Sequence, residues 1–306
     1  MKLVFMGTPA FAVPSLEALV AAGHQVLAVY SQPDRPKGRG QSQEMPAVKQ
    51  AALKLSLPVY QPERIRHAQA IEQLRELSPE VIIAVAYGQI IPKAILDIPP
   101  LGIINVHASL LPRYRGAAPI QWAIANGETR TGITTMRINE GLDTGEMLMK
   151  CETEIGPEET APELSARLAH DGAQLLLQTL AQLSEIVPEP QDNTLATYAP
   201  ILKKEDGKLD WTLPPQTILN RIRGFEPWPG GYGFLREQRL QIWQAAVGSI
   251  TGVAPGMLSA VGRKLYVGCG QLQSLELLEI QMQGKKRMPA SAFLNGFSLL
   301  GGEQLQ

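Results

Sequence analysis

Residues 81–86 read VIIAVA, a continuous apolar run closed by Tyr87 and Gly88. A strand with no polar alternation must be buried on both faces, and burial on both faces is the mark of a parallel sheet covered by helices. Segments 2–6, 26–30 and 102–106 supply further strands of the same kind. A helix beginning near Pro14 and ended by Gly23 joins the first two, which makes the N-terminus a βαβ unit. Segment 131–138 alternates apolar with polar residues and is expected nearer a sheet edge. Strands alternating with helices in this way predict an α/β domain, a Rossmann-like and mostly parallel sheet.

Open α/β sheets bind ligands beyond the carboxyl ends of their strands. Three segments fall at such ends: Tyr87-Gly88, the run NVHASLLP at 105–112, and LDTG at 142–145. Together they bring an amide donor (Asn105), an imidazole (His107) and a carboxylate (Asp143) to one crevice. These are the groups needed to stabilise a tetrahedral intermediate and to move protons around it. Ser109 is the only hydroxyl in the first run, and no activated nucleophile stands beside it. Direct transfer between two bound substrates is therefore expected, with no covalent enzyme intermediate. Leu110 and Leu111 are expected to wall an apolar or aromatic ligand. A dinucleotide fold is disfavoured, because the turn after the first strand is GTPAF and lacks the second and third glycines that admit a pyrophosphate.

Segment 33–49 reads as a long exposed loop, punctuated by Pro33, Pro36 and Pro46 and basic through Arg35, Lys37, Arg39 and Lys49. Loops of this length within a domain are usually functional or disordered. Beyond residue 150 the pattern changes. Residues 160–187 form a long amphipathic helix that Pro188 and Pro190 end, and 191–206 read as a linker. Short strands at 240–246, 256–260, 264–268 and 271–280, separated by Gly and Pro, predict a small β-barrel of OB-like type. The expected domains are a catalytic domain at 1–189, a linker at 190–206 and a C-terminal barrel at 207–306.

The formal charge of -1 conceals segregation. Residues 1–150 carry 15 basic and 12 acidic side chains, 151–200 carry 1 and 9, and 201–306 carry 12 and 8. A polyanion would have to meet the outer blocks and avoid the middle one, although a solvated acidic helix between two ordinary domains explains the same counts. Two cysteines without CxxC spacing and four histidines without HxH or HExxH spacing give no disulfide framework and no metal site. The N-terminal apolar stretch is too short for a signal peptide and no run reaches membrane-spanning length, so a cytoplasmic protein with no membrane partner is expected.

The segments NVHASLLPRYRGAAPIQWAIANGE and TGITTMRINEGLDTG closely resemble the folate-dependent formyltransferases. The resemblance extends over nearly the whole chain through GTPAFAVPSL, QPDRPKGRGQ, LKKEDGKLDW at 202–211 and FEPWPGGY at 225–232. It implies 10-formyltetrahydrofolate as formyl donor, initiator methionyl-tRNA as acceptor through its α-amine, and neither a metal nor a DNA partner; a monomer is expected. By the same resemblance Asn105, His107 and Asp143 are catalytic. Tyr87, Gly88, Gln89, Ile90, Ser109, Leu110, Leu111 and Pro112 would bind folate. Arg35, Lys37, Arg39, Lys203, Lys204, Lys285, Lys286 and Arg287 would meet tRNA, joined by Arg221 and Arg223. Taken singly, these residues also fit structural roles: Asn105 a turn bond, His107 a satisfied core histidine, Asp143 an Asx-turn. Segment 109–112 also fits a plug at the sheet end. Arg113 and Arg115 fit the folate tail, the tRNA acceptor end or solvent equally well. The tryptophans at 122, 211, 228 and 243 are expected in the core.

Overall fold

The computed structural model describes residues 1–37, 42–297, 299 and 301–306. The chain divides into two compact units that do not follow chain order. One comprises residues 1–116, 130–154 and 165–199, and the other 117–129, 155–164 and 200–306.

In chain order the first part of the fold runs β1 (Lys2–Gly7), α1 (Val13–Ala21), β2 (Gln25–Tyr30), β3 (Arg35–Lys37), β4 (Ser42–Glu44), α2 (Ala47–Lys54) and β5 (Val59–Tyr60). It continues with α3 (Ala68–Leu77), β6 (Val81–Val85), α4 (Lys93–Leu96), β7 (Ile103–His107) and β8 (Arg115–Gly116). Next come α5 (Pro119–Ala125), which belongs to the second unit, then β9 (Arg130–Arg137), β10 (Met147–Glu154), α6 (Ala161–Ala181) and β11 (Tyr198–Ala199).

The main sheet has the order β10-β9-β7-β6-β1-β2-β5, parallel from β7 to β5 and antiparallel at β7-β9 and β9-β10. The apolar run at 81–86 is accordingly central, with every residue of β6 buried. Strand β9 lies one position inside the edge. Its residues 131–136 are all buried despite their alternating chemistry. The polar members are satisfied internally: the Thr134 hydroxyl donates to the Ser109 carbonyl at 2.7 Å, and the Thr135 and Thr179 hydroxyls bond at 2.8 Å. Edge position belongs to β10, whose outward charges Lys150, Glu152 and Glu154 mask it as a strand in the sequence. The expected loop at 33–49 contains the β3-β4 hairpin and the start of α2, so its two ends carry regular structure.

The second unit adds α7 (Pro215–Gly224), β12 (Gly231–Leu235), β13 (Gln238–Val247), β14 (Leu258–Val261), β15 (Lys264–Gly268), β16 (Ser274–Met282), β17 (Met288–Pro289) and α8 (Ala290–Gly296). The strands form one antiparallel sheet in the order β12-β13-β16-β15-β14, with β17 on β16, which is the small β domain the sequence predicts. Its core joins Leu240, Ile242, Leu265, Val267, Leu275 and Ile280 to Ile218 and Ile222 of α7.

Candidate active site

Asn105 and His107 stand two residues apart on β7 and so share one face of the sheet. Val106, between them, points the other way, towards Gly172 of α6. His107 is buried, and its Nε2 lies 2.9 Å from the Tyr114 carbonyl. A carbonyl only accepts, so Nε2 carries a hydrogen and donates it. The other ring nitrogen, Nδ1, faces Asp143 Oδ2 at 3.7 Å, beyond hydrogen-bond range. The tautomer of His107 is therefore fixed by Tyr114, not by Asp143. The Asn105 carboxamide is half-buried and makes no side-chain hydrogen bond among the described residues. The turn bond that would have made it structural is not among them.

Asp143 is held by the loop LDTG. Its φ is +50°, in the left-handed region that non-glycine residues seldom adopt. Gly145 follows for steric reasons, since a Cβ there would lie 1.7 Å from the Arg137 carbonyl oxygen. The Gly116 N–H donates to Asp143 Oδ2 at 2.8 Å, leaving Oδ1 without a partner among the described residues. Segment 114–116 thus touches both titratable groups, through the Tyr114 carbonyl and the Gly116 amide. It is pinned in turn to 197–199: the Tyr114 N–H donates to Thr197 Oγ1 at 2.8 Å, the Arg115 N–H to the Thr197 carbonyl at 2.9 Å, and β8 pairs with β11.

Arg115 is only 2% exposed, so solvent is not its partner. Its guanidinium donates to Gln191 Oε1 at 2.9 and 2.8 Å and to Asn193 Oδ1 at 2.9 Å. Gln191 donates onward to the carbonyls of Asp143 and Gly145 at 2.8 and 2.7 Å. Sequence reading missed this frame, because Gln191 lies in the segment read as a linker and nothing in its spacing links it to position 143. Arg113 is exposed, with its guanidinium over the Tyr114 ring at 5.5 Å.

The residues expected to bind folate separate into two groups. Gly88 and Ile90 are exposed, Ile90 at 92%. Tyr87 presents its backbone: the carbonyl accepts from Thr8 Oγ1 at 2.8 Å, while the ring is buried in the sheet core and burial pushes its phenol pKa up. Gln89 uses its side chain to hold 62–65, accepting from the Ile65 N–H at 2.7 Å and donating to the Pro62 carbonyl at 3.1 Å. Ser109 is buried and donates to the Arg113 carbonyl at 2.7 Å. Leu111 is buried, its side chain in a core cluster with Met136 and Met147. Leu110 packs against Gly132, and Pro112 is half-buried. Beside Tyr87 and Gly88 opens a cavity of about 580 Å³, lined also by Thr8, Gln32, Arg35 and Met45.

Of the basic residues expected to meet tRNA, Arg35 is exposed at this cavity, Lys37 lies on β3, and Arg39 is outside the described residues. Lys49 is ion-paired with Asp34 at 2.6 Å. Hydrogen bonds from Gln61 and Lys49 hold the Asp34 carboxyl below its ordinary range. In the second unit Lys203, Lys204, Lys285 and Lys286 are exposed. Arg287 is ion-paired with Glu279 and stacked over Trp243 at 4.8 Å. Arg223 is a structural clamp, donating to the Gly156 and Glu159 carbonyls and to Asn220. Trp211 is in the core as expected, whereas Trp228 is 54% exposed.

Among the described residues there is no cluster of three or more metal-ligating side chains, and no helix is long and apolar enough to cross a membrane. Residues 1–180 match the formyl transferase family and residues 201–298 the formyl transferase C-terminal domain. The chain is 58% identical to the methionyl-tRNA formyltransferase of Solibacter usitatus, over 100% of this chain and 98% of that one. It is 56% identical to the methionyl-tRNA formyltransferase of Koribacter versatilis, over 97% of this chain and 96% of that one. A solved N-formyltransferase from Helicobacter canadensis, in complex with folinic acid and dTDP-3-aminofucose, shares the fold with a TM-score of 0.67 at 19% identity, over 92% of this chain and 99% of that one. On the matches to both family domains and the full-length identity, the chain belongs to the formyl transferase family.

Proposed function

We propose that this protein transfers the formyl group of 10-formyltetrahydrofolate to the α-amine of methionyl initiator tRNA, acting as a cytoplasmic monomer. The observation that carries the reading is the grouping of the Nδ1 edge of His107 with Asp143, 3.7 Å from its Oδ2, beside an Asn105 amide on the same face of β7; the Asn105 amide and Asp143 Oδ1 have no hydrogen-bond partner among the described residues. That donor set fits a formyl group in transfer, which needs hydrogen bonds to its oxygen and an acceptor for the proton shed by the attacking amine.

As the amine forms its bond to the formyl carbon, the formyl oxygen gains negative charge. The Asn105 amide donates to it. Because Tyr114 already fixes a hydrogen on Nε2, His107 donates from Nδ1 only as imidazolium, and the neighbouring Asp143 carboxylate balances that charge. Each such donor contributes roughly 3 to 4 kcal/mol to the transition state. Asp143 Oδ1 accepts the amine proton directly or through a water, and the proton leaves on the folate nitrogen as the carbon–nitrogen bond to the donor breaks. No covalent bond to the protein is needed.

Folate is assigned to the neighbourhood of residues 87–90 and 109–112. Gly88, Ile90 and the backbone of Tyr87 offer contact, while Ser109, Leu111 and Gln89 shape the site through the bonds described above. tRNA is assigned to Arg35, Lys37, Arg39, Lys203, Lys204, Lys285, Lys286 and Arg287. The catalytic role belongs to the domain expected at 1–189 and the tRNA platform to the one expected at 207–306. Incubating the protein with 10-formyltetrahydrofolate and methionyl initiator tRNA should yield formylmethionyl-tRNA. Formylation of amino-sugar nucleotides alone would refute the reading.

A further inference from the structure

The transfer just described makes no use of Arg115 or Gln191, yet both enclose Asp143. The Gln191 amide can face only one way. Its neighbours on one side are the Asp143 and Gly145 carbonyls, which only accept, and on the other the Arg115 guanidinium, which only donates. A flipped amide would lose bonds on both sides. The two Nε2 hydrogens therefore go to the two carbonyls and Oε1 to the arginine. A ring closes around Asp143: its Oδ2 bonds to the Gly116 amide, Gly116 is joined covalently to Arg115, and Arg115 holds Gln191, which returns to the Asp143 carbonyl. Burying a guanidinium against neutral oxygens is costly and needs compensation. Here the guanidinium fixes a loop whose Asp143 stands at φ +50°.

We propose that Arg115 and Gln191 form a positioning device that aims Asp143 Oδ1 at the proton it must accept. The inference rests on the reading of Asp143 as part of the transfer site. Gln191→Glu separates the ring's functions, since a carboxylate keeps the bond to Arg115 but turns an acceptor towards two carbonyls. Displacement of Asp143 by a fraction of an ångström to 1 Å should lower kcat about 10- to 100-fold. KM for both substrates should stay within about twofold, as Arg115 is buried and the Gln191 amide is spent on Arg115 and the two loop carbonyls.

The test measures kcat, KM and the pH profile of kcat for formyl transfer to methionyl initiator tRNA in Gln191→Glu, Asp143→Asn and the double variant, with melting curves as a check of folding. If Asp143→Asn retains kcat, the assignment of Asp143 is wrong, whatever Gln191 does. If Asp143→Asn collapses kcat, the inference predicts that Gln191→Glu lowers kcat and alters its pH profile in the parent but adds nothing to Asp143→Asn. A folded Gln191→Glu protein with parental kcat and pH profile would overturn it, as would losses that multiply in the double variant. Should Gln191→Glu fail to fold, Gln191→Met removes the donor without adding charge and must show the same pattern, or the inference falls.

Discussion

Asn105→Ala separates catalysis from stability more cleanly than any other change at the site. The carboxamide is half-buried and has no side-chain hydrogen bond among the described residues, so its truncation leaves none of them unpaired. The stability cost should be about 0.5 kcal/mol, which moves the melting temperature of a chain this size by roughly 1 to 2 °C. The catalytic cost is of another order. Loss of one donor to a developing oxyanion is worth about 2.7 to 4 kcal/mol, a fall in kcat of roughly 100- to 1,000-fold. Single-turnover formylation with enzyme in excess reads this step directly, and titration with methionyl initiator tRNA should give an unchanged affinity. His107→Ala provides the contrast, because it removes a buried hydrogen bond to the Tyr114 carbonyl and should cost about 1 to 3 kcal/mol of stability besides activity. A rate within threefold of the parent for Asn105→Ala would refute the oxyanion assignment. So would a melting temperature lowered by about 5 °C or more, which would make Asn105 a structural residue.

Three further outcomes are expected. Replacing Lys203 and Lys204 by Ala should raise KM for tRNA and reduce the slope of log affinity against log salt by about 1 for each phosphate no longer neutralised, with KM for folate unchanged; an unaltered slope would remove both from the interface. Leu111→Ala, within its cluster with Met136 and Met147, should lower stability by about 2 to 5 kcal/mol, and chemical denaturation will measure it. Bonds from the Thr212 hydroxyl and amide hold the Asp210 carboxyl below its ordinary range, so its stabilisation is fully present above that range and is lost as pH falls through the lowered value. Asp210→Ala should therefore narrow the stability gap to the parent as pH drops, and a gap constant with pH would contradict the assignment.

The apolar run at 81–86 marked the sheet, because a strand buried on both faces has no polar residues to disguise it. β9 lies near the edge as its alternation suggests, yet its threonines are buried, bonded to Ser109 and Thr179, residues far along the chain. α7 escaped notice because Pro214 and Pro215 look like a break, whereas proline at the first helical turn opens a helix. At the site, Asn105 and His107 were legible as polar residues towards the end of an apolar strand, and Asp143 as a carboxylate in the loop after β9. The atoms that orient them were not, since a backbone carbonyl at Tyr114 and an amide at Gly116 leave no mark on residue identity. The burial of the Leu111 side chain with Met136 and Met147 was not legible either, because hydrophobicity alone does not distinguish a ligand wall from a core.

The most direct test of the account follows one formyl group. Purified protein mixed with 10-formyltetrahydrofolate labelled at the formyl carbon should place the label on the methionine amine of initiator tRNA, and the rate should collapse in Asn105→Ala and Asp143→Ala while tRNA still binds. Label appearing on an amino-sugar nucleotide and not on tRNA, or transfer undiminished in both variants, would contradict it.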